Sequence, residues 1–224
     1  MRRALTCILI SGAILIAGPT WAAAPPPTWD GLVLVPSKRL DLVYLQPGAD
    51  FSGYTKVIIN PTEVAFAKNW QRDYNRSTRS LSSRVSESDL QRTISEAVAA
   101  AGEVFTAAWS KGGYVVVQTP GPDVMQVQAG VLNISVSAPE TLSAGRTRTF
   151  ANEAGHATFF VEVRDSVSGA LLGRAVDNRI VGDNLTTWRT SGSNRADFRE
   201  ELKRWAEISV RGVNELKSNS SSKP

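Results

Sequence analysis

The one histidine of this 224-residue chain, His156, lies a few positions before Glu162, and Asp177 and Arg179 follow beyond a turn-forming stretch. A histidine with two carboxylates is a minimal set for moving protons, so a hydrolase or lyase using Glu162, Asp177 and His156 is the catalytic alternative that the residue types allow. The plainer reading is a solvated sheet face carrying cross-strand ion pairs, with His156 as an ordinary surface histidine. No G-x-S-x-G, H-E-x-x-H, phosphate-binding loop or dinucleotide fingerprint occurs. The expectation is therefore a non-catalytic domain without a metal centre or a cofactor. Its binding residues are expected among the ionic pair Asp177 and Arg179 and the aromatic residues Trp70, Tyr74 and Trp188, which fall in polar stretches and suit a groove for a partner or ligand.

The first residues set the compartment. Arg2 and Arg3 precede an apolar run over 4–17, then Pro19 and the small residues Ala22, Ala23 and Ala24. That is the order of a cleavable secretory signal over 1–24, with cleavage between Ala22 and Ala24. The run falls short of the about 20 apolar residues that cross a bilayer, so no membrane span is expected in the mature chain. The only cysteine, Cys7, lies inside this leader, which leaves the mature chain without a disulfide or a thiolate. Removing Arg2 and Arg3 lowers the formal charge from +4 to +2. With no basic cluster interleaved with aromatics, such a surface is not a nucleic-acid footprint.

Residues 25–217 are expected to form one domain, and the Ser/Asn/Lys-rich 218–224 a disordered tail. Apolar stretches at 32–35 and 42–45 lead to Pro47-Gly48, a turn signal. Val57, Ile58 and Ile59 are consecutive, as in a strand buried on both faces, and Pro61 limits it. That strand is expected to be central, and the alternation at Val64 and Phe66 suggests a half-strand beyond the break. Residues 68–84 read as a loop or a short helix followed by a loop. Ser88 and Gln91 fit a capping box, and Leu90, Ile94, Val98, Ala101, Phe105 and Ala108 recur at helical spacing up to Gly112-Gly113.

Alternation resumes at Met125, Val127, Ala129 and Val131 and then changes phase through Leu132, Ile134 and Val136, which predicts a β-bulge near Gly130. Residues 137–154 read as a polar loop. Ala157, Phe159, Val161 and Val163 predict the apolar face of one hairpin strand, and residues 165–169 its turn. Leu172, Val176 and Ile180 are expected on the apolar face of the returning strand, which would put Asp177 and Arg179 beside His156 and Glu162 and leave Arg174 as a misfit. A loop with Trp188 precedes a last helix that starts at Asn194 and buries Phe198, Leu202, Trp205, Ser209 and Val213. The sum is an α+β fold, a mostly antiparallel β-sheet with two amphipathic helices packed on one face.

Two stretches carry a resemblance. The run from Tyr44 through Pro47-Gly48-Ala49-Asp50-Phe51-Ser52-Gly53-Tyr54 to Val57, with Pro61 and Glu63-Val64, is the first. The second is Gly155-His156-Ala157 through Glu162-Val163-Arg164-Asp165, then Ser168-Gly169-Ala170-Leu171-Leu172 and Asp177-Asn178-Arg179, with Phe198 and Trp205 closing. Together they resemble the bacterial envelope family known as domain of unknown function 3313, over roughly residues 29–216. The resemblance implies a periplasmic location in a Gram-negative envelope and no established activity. Many members look like lipoproteins, whereas Pro19 stands here where the lipidated cysteine would fall, so no lipid anchor is expected. The expected partner is another envelope protein or a small periplasmic ligand.

Overall fold

The computed structural model describes residues 24–78, 81–136, 148–151, 155–182 and 187–221, with backbone alone for 82, 148–151, 187–193 and 221. The leader, including Cys7, lies outside the described residues, as does most of the expected polar loop at 137–154. In chain order the strands are β1 (Thr28–Trp29), β2 (Leu32–Val35), β3 (Leu42–Leu45), β4 (Lys56–Ile59) and β5 (Glu63–Phe66). Helices α1 (Trp70–Ser77) and α2 (Glu87–Lys111) follow, and then β6 (Val115–Val116), β7 (Val124–Val136) and β8 (Arg148–Ala151). The chain closes with β9 (Gly155–Asp165), β10 (Leu171–Val181), β11 (Thr187–Thr190) and α3 (Ser191–Ser221).

Period-two alternation makes β9 and β10 the hairpin on which the main sheet is built, and the order across it is β1-β2-β3-β10-β9-β7-β4-β6. Strands β4 and β5 are two segments laid end to end along β7, both parallel to it, with the break at Pro61 between them. Pro61 has no amide to give to a ladder, and Gln128 bridges the gap by donating its Nε2 to the Pro61 carbonyl at 3.0 Å. The sheet is thus mixed, and α+β is its class. The expected central position of Val57–Ile59 is corrected: β4 lies next to the two-residue edge strand β6, and the middle is held by β9, β10 and β7. A run of apolar residues needs cover on both faces, and position in the sheet does not follow from it.

Among the described residues α1 joins the two amphipathic helices that were expected on the sheet, and of the two readings of the 68–84 stretch the short helix is the one that forms. Its start is set by Asn69 in the left-handed region, φ 65°, where asparagine is tolerated. Asn75 ties it to the start of α2, accepting from the Val85 amide and donating to the Val85 carbonyl, each at 2.8 Å. The capping box of α2 uses Ser86 and Asp89, two residues earlier than the expected Ser88 and Gln91. Aspartate closes the box as glutamate would, reaching back to the Ser86 amide at 2.9 Å. At the other end, Gly113 at φ +95° lets its own amide reach the Ser110 carbonyl and the Tyr114 amide reach Trp109. These are the two bonds of a Schellman stop, and Tyr114 packs edge-on against Trp109 at 5.1 Å.

Helices α2 and α3 cover one face of the sheet. The centre of that layer is an aromatic stack in which Phe159 of β9 lies 6.1 Å from Phe105 of α2 and 5.0 Å from Trp205 of α3. Trp109, Trp205, Phe105 and Phe159 are all fully buried, and each large side chain of this kind contributes about 1.5 to 3 kcal/mol by leaving water. Helix α3 starts at Ser191 and continues to Ser221, where a loop and a disordered tail were expected. Its last turns are held: Lys217 Nζ donates to the Tyr54 carbonyl at 2.6 Å, and the Phe51 amide to Ser220 Oγ at 3.5 Å. Residues 222–224 lie outside the described residues. Tyr54 also donates to Asp165 Oδ2 at 2.9 Å. Burial first, and then the Asp165 bond, push its phenol up to about 12.

Helix α2 ends against α3 at a point with no room to spare. A Cβ on Gly112 would stand 2.1 Å from Val210 Cγ1, and Val210 is itself buried. Gly112→Ala is expected to destabilise the protein by about 1 to 3 kcal/mol through overpacking. Val210→Ala in the same background should return part of that loss, which a set of urea unfolding curves for the two single variants and the double variant measures. Simple additivity would show that the two helices are not in contact at this point.

Candidate functional site

The residues singled out from sequence divide between the two faces of the sheet. In the β9–β10 hairpin the register shifts between Leu171 and Gly173, so Leu172 is an extra residue and the strand beyond it changes phase. Asp177 therefore pairs with Phe159 and faces the helices, while Arg174, Val176, Asn178 and Ile180 pair with Glu162, Phe160, Thr158 and His156 on the open face. The expected grouping of Asp177 and Arg179 with His156 and Glu162 is corrected on this point. Their carboxylates lie on opposite sides of the sheet, so Glu162, Asp177 and His156 do not converge.

Glu162 belongs to an ion network on the open face. Its two oxygens take Arg174 at 2.6 Å and Arg164 at 2.8 Å. Arg174 also reaches Asp30 at 2.8 Å and lies 4.2 Å over the Trp29 ring. Arg174 is thus no misfit, since the bulge turns it to the side where its partners are. Burial pushes the Glu162 carboxyl up, but the bonds and charges of Arg164 and Arg174 outweigh it and hold the group below its usual range. An arginine-clamped carboxylate is a poor general base, and its bonds are those of a structural pair.

Asp177 is fully buried. Its oxygens accept from Trp205 Nε1 at 2.9 Å, from Arg179 Nε at 2.7 Å and from the Asp41 amide at 3.2 Å. Arg179 in turn donates to the Arg39 carbonyl at 3.2 Å and lies 3.9 Å from Glu201 of α3. This cluster fastens α3 to β10 and to the chain before β3. Asp177 is fully enclosed by these partners, while the Arg179 side chain keeps 31% of its surface exposed.

Trp70 and Tyr74 are on α1, where they stack at 5.7 Å, and Trp70 meets Phe66 of β5 at 4.6 Å. Trp70 is buried and forms part of the wall of an apolar cavity. Trp188 lies on β11, and its side chain is outside the described residues.

This cavity, about 330 Å³, separates α1 and the first halves of α2 and α3 from the β5–β7 part of the sheet. Its floor is Val64, Phe66, Val131, Ile134 and Val136, and its far side is Phe198, Leu202 and Trp205. The space exists because α2 turns small residues to it: Thr93, Ala97, Ala100 and Ala101. The same face one and two turns later carries Val104, Phe105 and Trp109, which fill the core. Thr93 spends its hydroxyl on its own helix, donating to the Asp89 carbonyl at 2.8 Å. The charged lining residues Glu96, Arg195 and Arg199 are exposed and form the rim. A cavity of this size and lining has room for a small, mainly apolar molecule.

Comparison with known proteins agrees with the resemblance in the sequence. The family model described as "Protein of unknown function (DUF3313)" matches residues 34–208. The chain belongs to this family. Among curated proteins none matches. The solved structures similar to it include the following three. A PelC dodecamer from Paraburkholderia phytofirmans is 11% identical, with 72% of this chain and 96% of that one covered and a TM-score of 0.34. A Xanthomonas campestris protein of the DUF330 family is 10% identical, with 80% and 94% covered and a TM-score of 0.44. A PDZ domain protein from Parabacteroides distasonis is 12% identical, with 74% and 33% covered and a TM-score of 0.36. At these values the likeness carries no argument about the site, and DUF3313 membership brings no activity with it.

Sequence reasoning placed Trp70 at a binding surface and missed the rest of the cavity. The available signal was the run Ala97-Val98-Ala99-Ala100-Ala101-Gly102, unusually small for a helix meant to fill a core. Asp177→Ala is expected to cost about 3 to 5 kcal/mol, since it strands a buried indole N–H and removes the partner of a charged arginine. Urea denaturation measures it. An unchanged midpoint would show that Asp177 is not the fastening described.

Proposed function

We propose that this chain is an exported, non-catalytic binding domain of the bacterial periplasm, which holds a small hydrophobic molecule in the cavity between α1, α2, α3 and the β5–β7 part of the sheet. The cavity is the observation that carries the reading. At about 330 Å³ it has roughly twice the volume of the ~150 Å³ apolar cavity that takes benzene. Its floor and far side are hydrocarbon and aromatic carbon, and water settles only where two to four polar groups hold it. An apolar guest therefore gains by entering. Support for export comes from the leader over 1–24 and for the envelope from the family. Support for binding in preference to catalysis comes from the separation of Glu162 from Asp177 by the sheet.

The test fills the space. An uncharged probe such as N-phenyl-1-naphthylamine should bind the wild-type protein saturably, with a rise in its fluorescence. Ala97→Phe and Ala100→Leu, which replace small lining residues with larger ones, should each weaken binding by about tenfold or more while the circular dichroism spectrum is retained. Equal affinity in all three proteins would place the probe elsewhere and remove the cavity from the account.

A further inference from the structure

The charge of this chain is unevenly placed. Residues 67–86 contain five basic side chains, Lys68, Arg72, Arg76, Arg79 and Arg84, against one acidic one, Asp73. That excess of +4 equals the formal charge of the whole chain, so everything outside the stretch balances. Arg79 lies outside the described residues; the other four are exposed. On α1, Arg72 and Arg76 are one turn apart and share a side. They stand two positions on from Trp70 and Tyr74, about 200° away around the helix. Trp70 is buried and Tyr74 stacks on it at 5.7 Å, so the aromatic side of α1 is turned inward and the arginine side outward. Gln71 joins Asn75 in clasping Val85, its Nε2 donating to the Val85 carbonyl at 3.2 Å, which holds Arg84 next to α1.

Little within the protein neutralises these cations. Lys68, Arg76 and Arg84 form no ion pair with another described residue. Arg72 has Asp73 at 3.0 Å, with both side chains more than half exposed, a contact that counts for little in water. Glu87 and Asp89 belong to the first turn of α2, where the helix amides and the capping box take up their charge. Beside the cations stands Leu81, in a single 3₁₀ turn over Leu81–Ser83 whose first carbonyl accepts from the Arg84 amide at 3.3 Å. Leu81 is 76% exposed, more than any other large apolar side chain among the described residues. Cations grouped with an outstanding apolar side chain fit a surface that is anionic at the top and hydrocarbon beneath, which is the interface of a bilayer containing acidic lipids. Nucleic acid would call for rings on which bases stack, and the rings of this stretch are turned inward.

We infer that α1 and the turn at Leu81 form a docking face for an anionic lipid surface, with Lys68, Arg72, Arg76 and Arg84 at the lipid phosphates and Leu81 among the acyl chains. The inference does not depend on what the cavity holds, although the two are neighbours, since Trp70 on the inner side of α1 is part of the cavity wall.

Sedimentation with lipid vesicles tests it. The leader is apolar and would bind lipid by itself, so the protein is used without it; every contact described above lies beyond it. The protein should sediment with vesicles of equal parts phosphatidylcholine and phosphatidylglycerol, and stay in solution with phosphatidylcholine alone. Raised salt should weaken the binding. Arg72→Gln with Arg76→Gln and Arg84→Gln should weaken it about a hundredfold, or about fivefold for each charge removed. Leu81→Ser should weaken it about fivefold or more. All four positions are exposed, so these variants should keep the thermal midpoint and the affinity for the uncharged fluorophore. Ala97→Phe, in contrast, should bind vesicles as the wild type does, which separates failure of the docking face from failure of the cavity. Equal sedimentation with the two kinds of vesicle, or wild-type binding by the triple variant or by Leu81→Ser, would overturn the inference. So would binding to polyglutamate with none to either vesicle, which would make the partner an acidic protein.

Discussion

The fold depends on one buried carboxylate. Asp177 sits on the helix-facing side of β10 at zero exposure, where an ionised group is costly unless every lone pair is used. Trp205 from α3, Arg179 from the same strand and the Asp41 amide ahead of β3 use them. Three separate parts of the chain therefore meet at one point, and none of them can shift without leaving a charge or an indole N–H unmatched. Well-packed apolar replacement of a whole buried ionic cluster costs little in general, whereas removal of one member is expensive. What the cluster supplies is position. It fixes the rotation of α3, and so sets which side chains of that helix meet Phe159 and which face the cavity.

The cavity follows from that rotation together with the uneven sizes along α2. With Trp205 stacked on Phe159 at 5.0 Å, the first turns of α3 pass over β5 and the end of β7. There α2 presents alanine and threonine in place of the phenylalanine and tryptophan of its second half. Close packing is the rule in protein interiors, and a gap lined by small residues between well-packed halves is a departure from it. Trp70 closes one side, carried by a short helix that Asn75 fastens to Val85. The cavity and the core are thus built from the same two helices, and the tight half anchors the open half.

Much of the architecture was legible because it is written in local periodicity. The hairpin strands, the broken β4–β5 pair around Pro61 and the glycine stop of α2 all follow from spacing or from what proline and glycine permit. The phase change in β7 was legible too, although the bulge falls at Asn133, φ +52°, and not at Gly130. What failed was information of longer range. One extra residue at Leu172 reverses every side chain after it, and nothing in the pattern of β10 marks it, since Val176 and Ile180 look as suitable for the core as Ala175 and Val181. The edge-side place of β4 comes from parallel pairing after the α2 crossover. The cavity was illegible for a further reason. Its lining residues are the types that fill cores, and an empty space has no sequence pattern of its own, only the small residues of α2 that leave it.

The central claim is that the cavity between α1, α2, α3 and the sheet is occupied in the cell. Native mass spectrometry of the protein isolated under non-denaturing conditions from the cells that make it tests this most directly, beside an Ala97→Phe variant prepared in the same way. The account predicts one bound molecule on the wild-type chain, released by organic solvent as a small, mainly apolar compound, and none on the variant. A wild-type chain that carries no adduct, or an adduct that the variant retains equally, would contradict it.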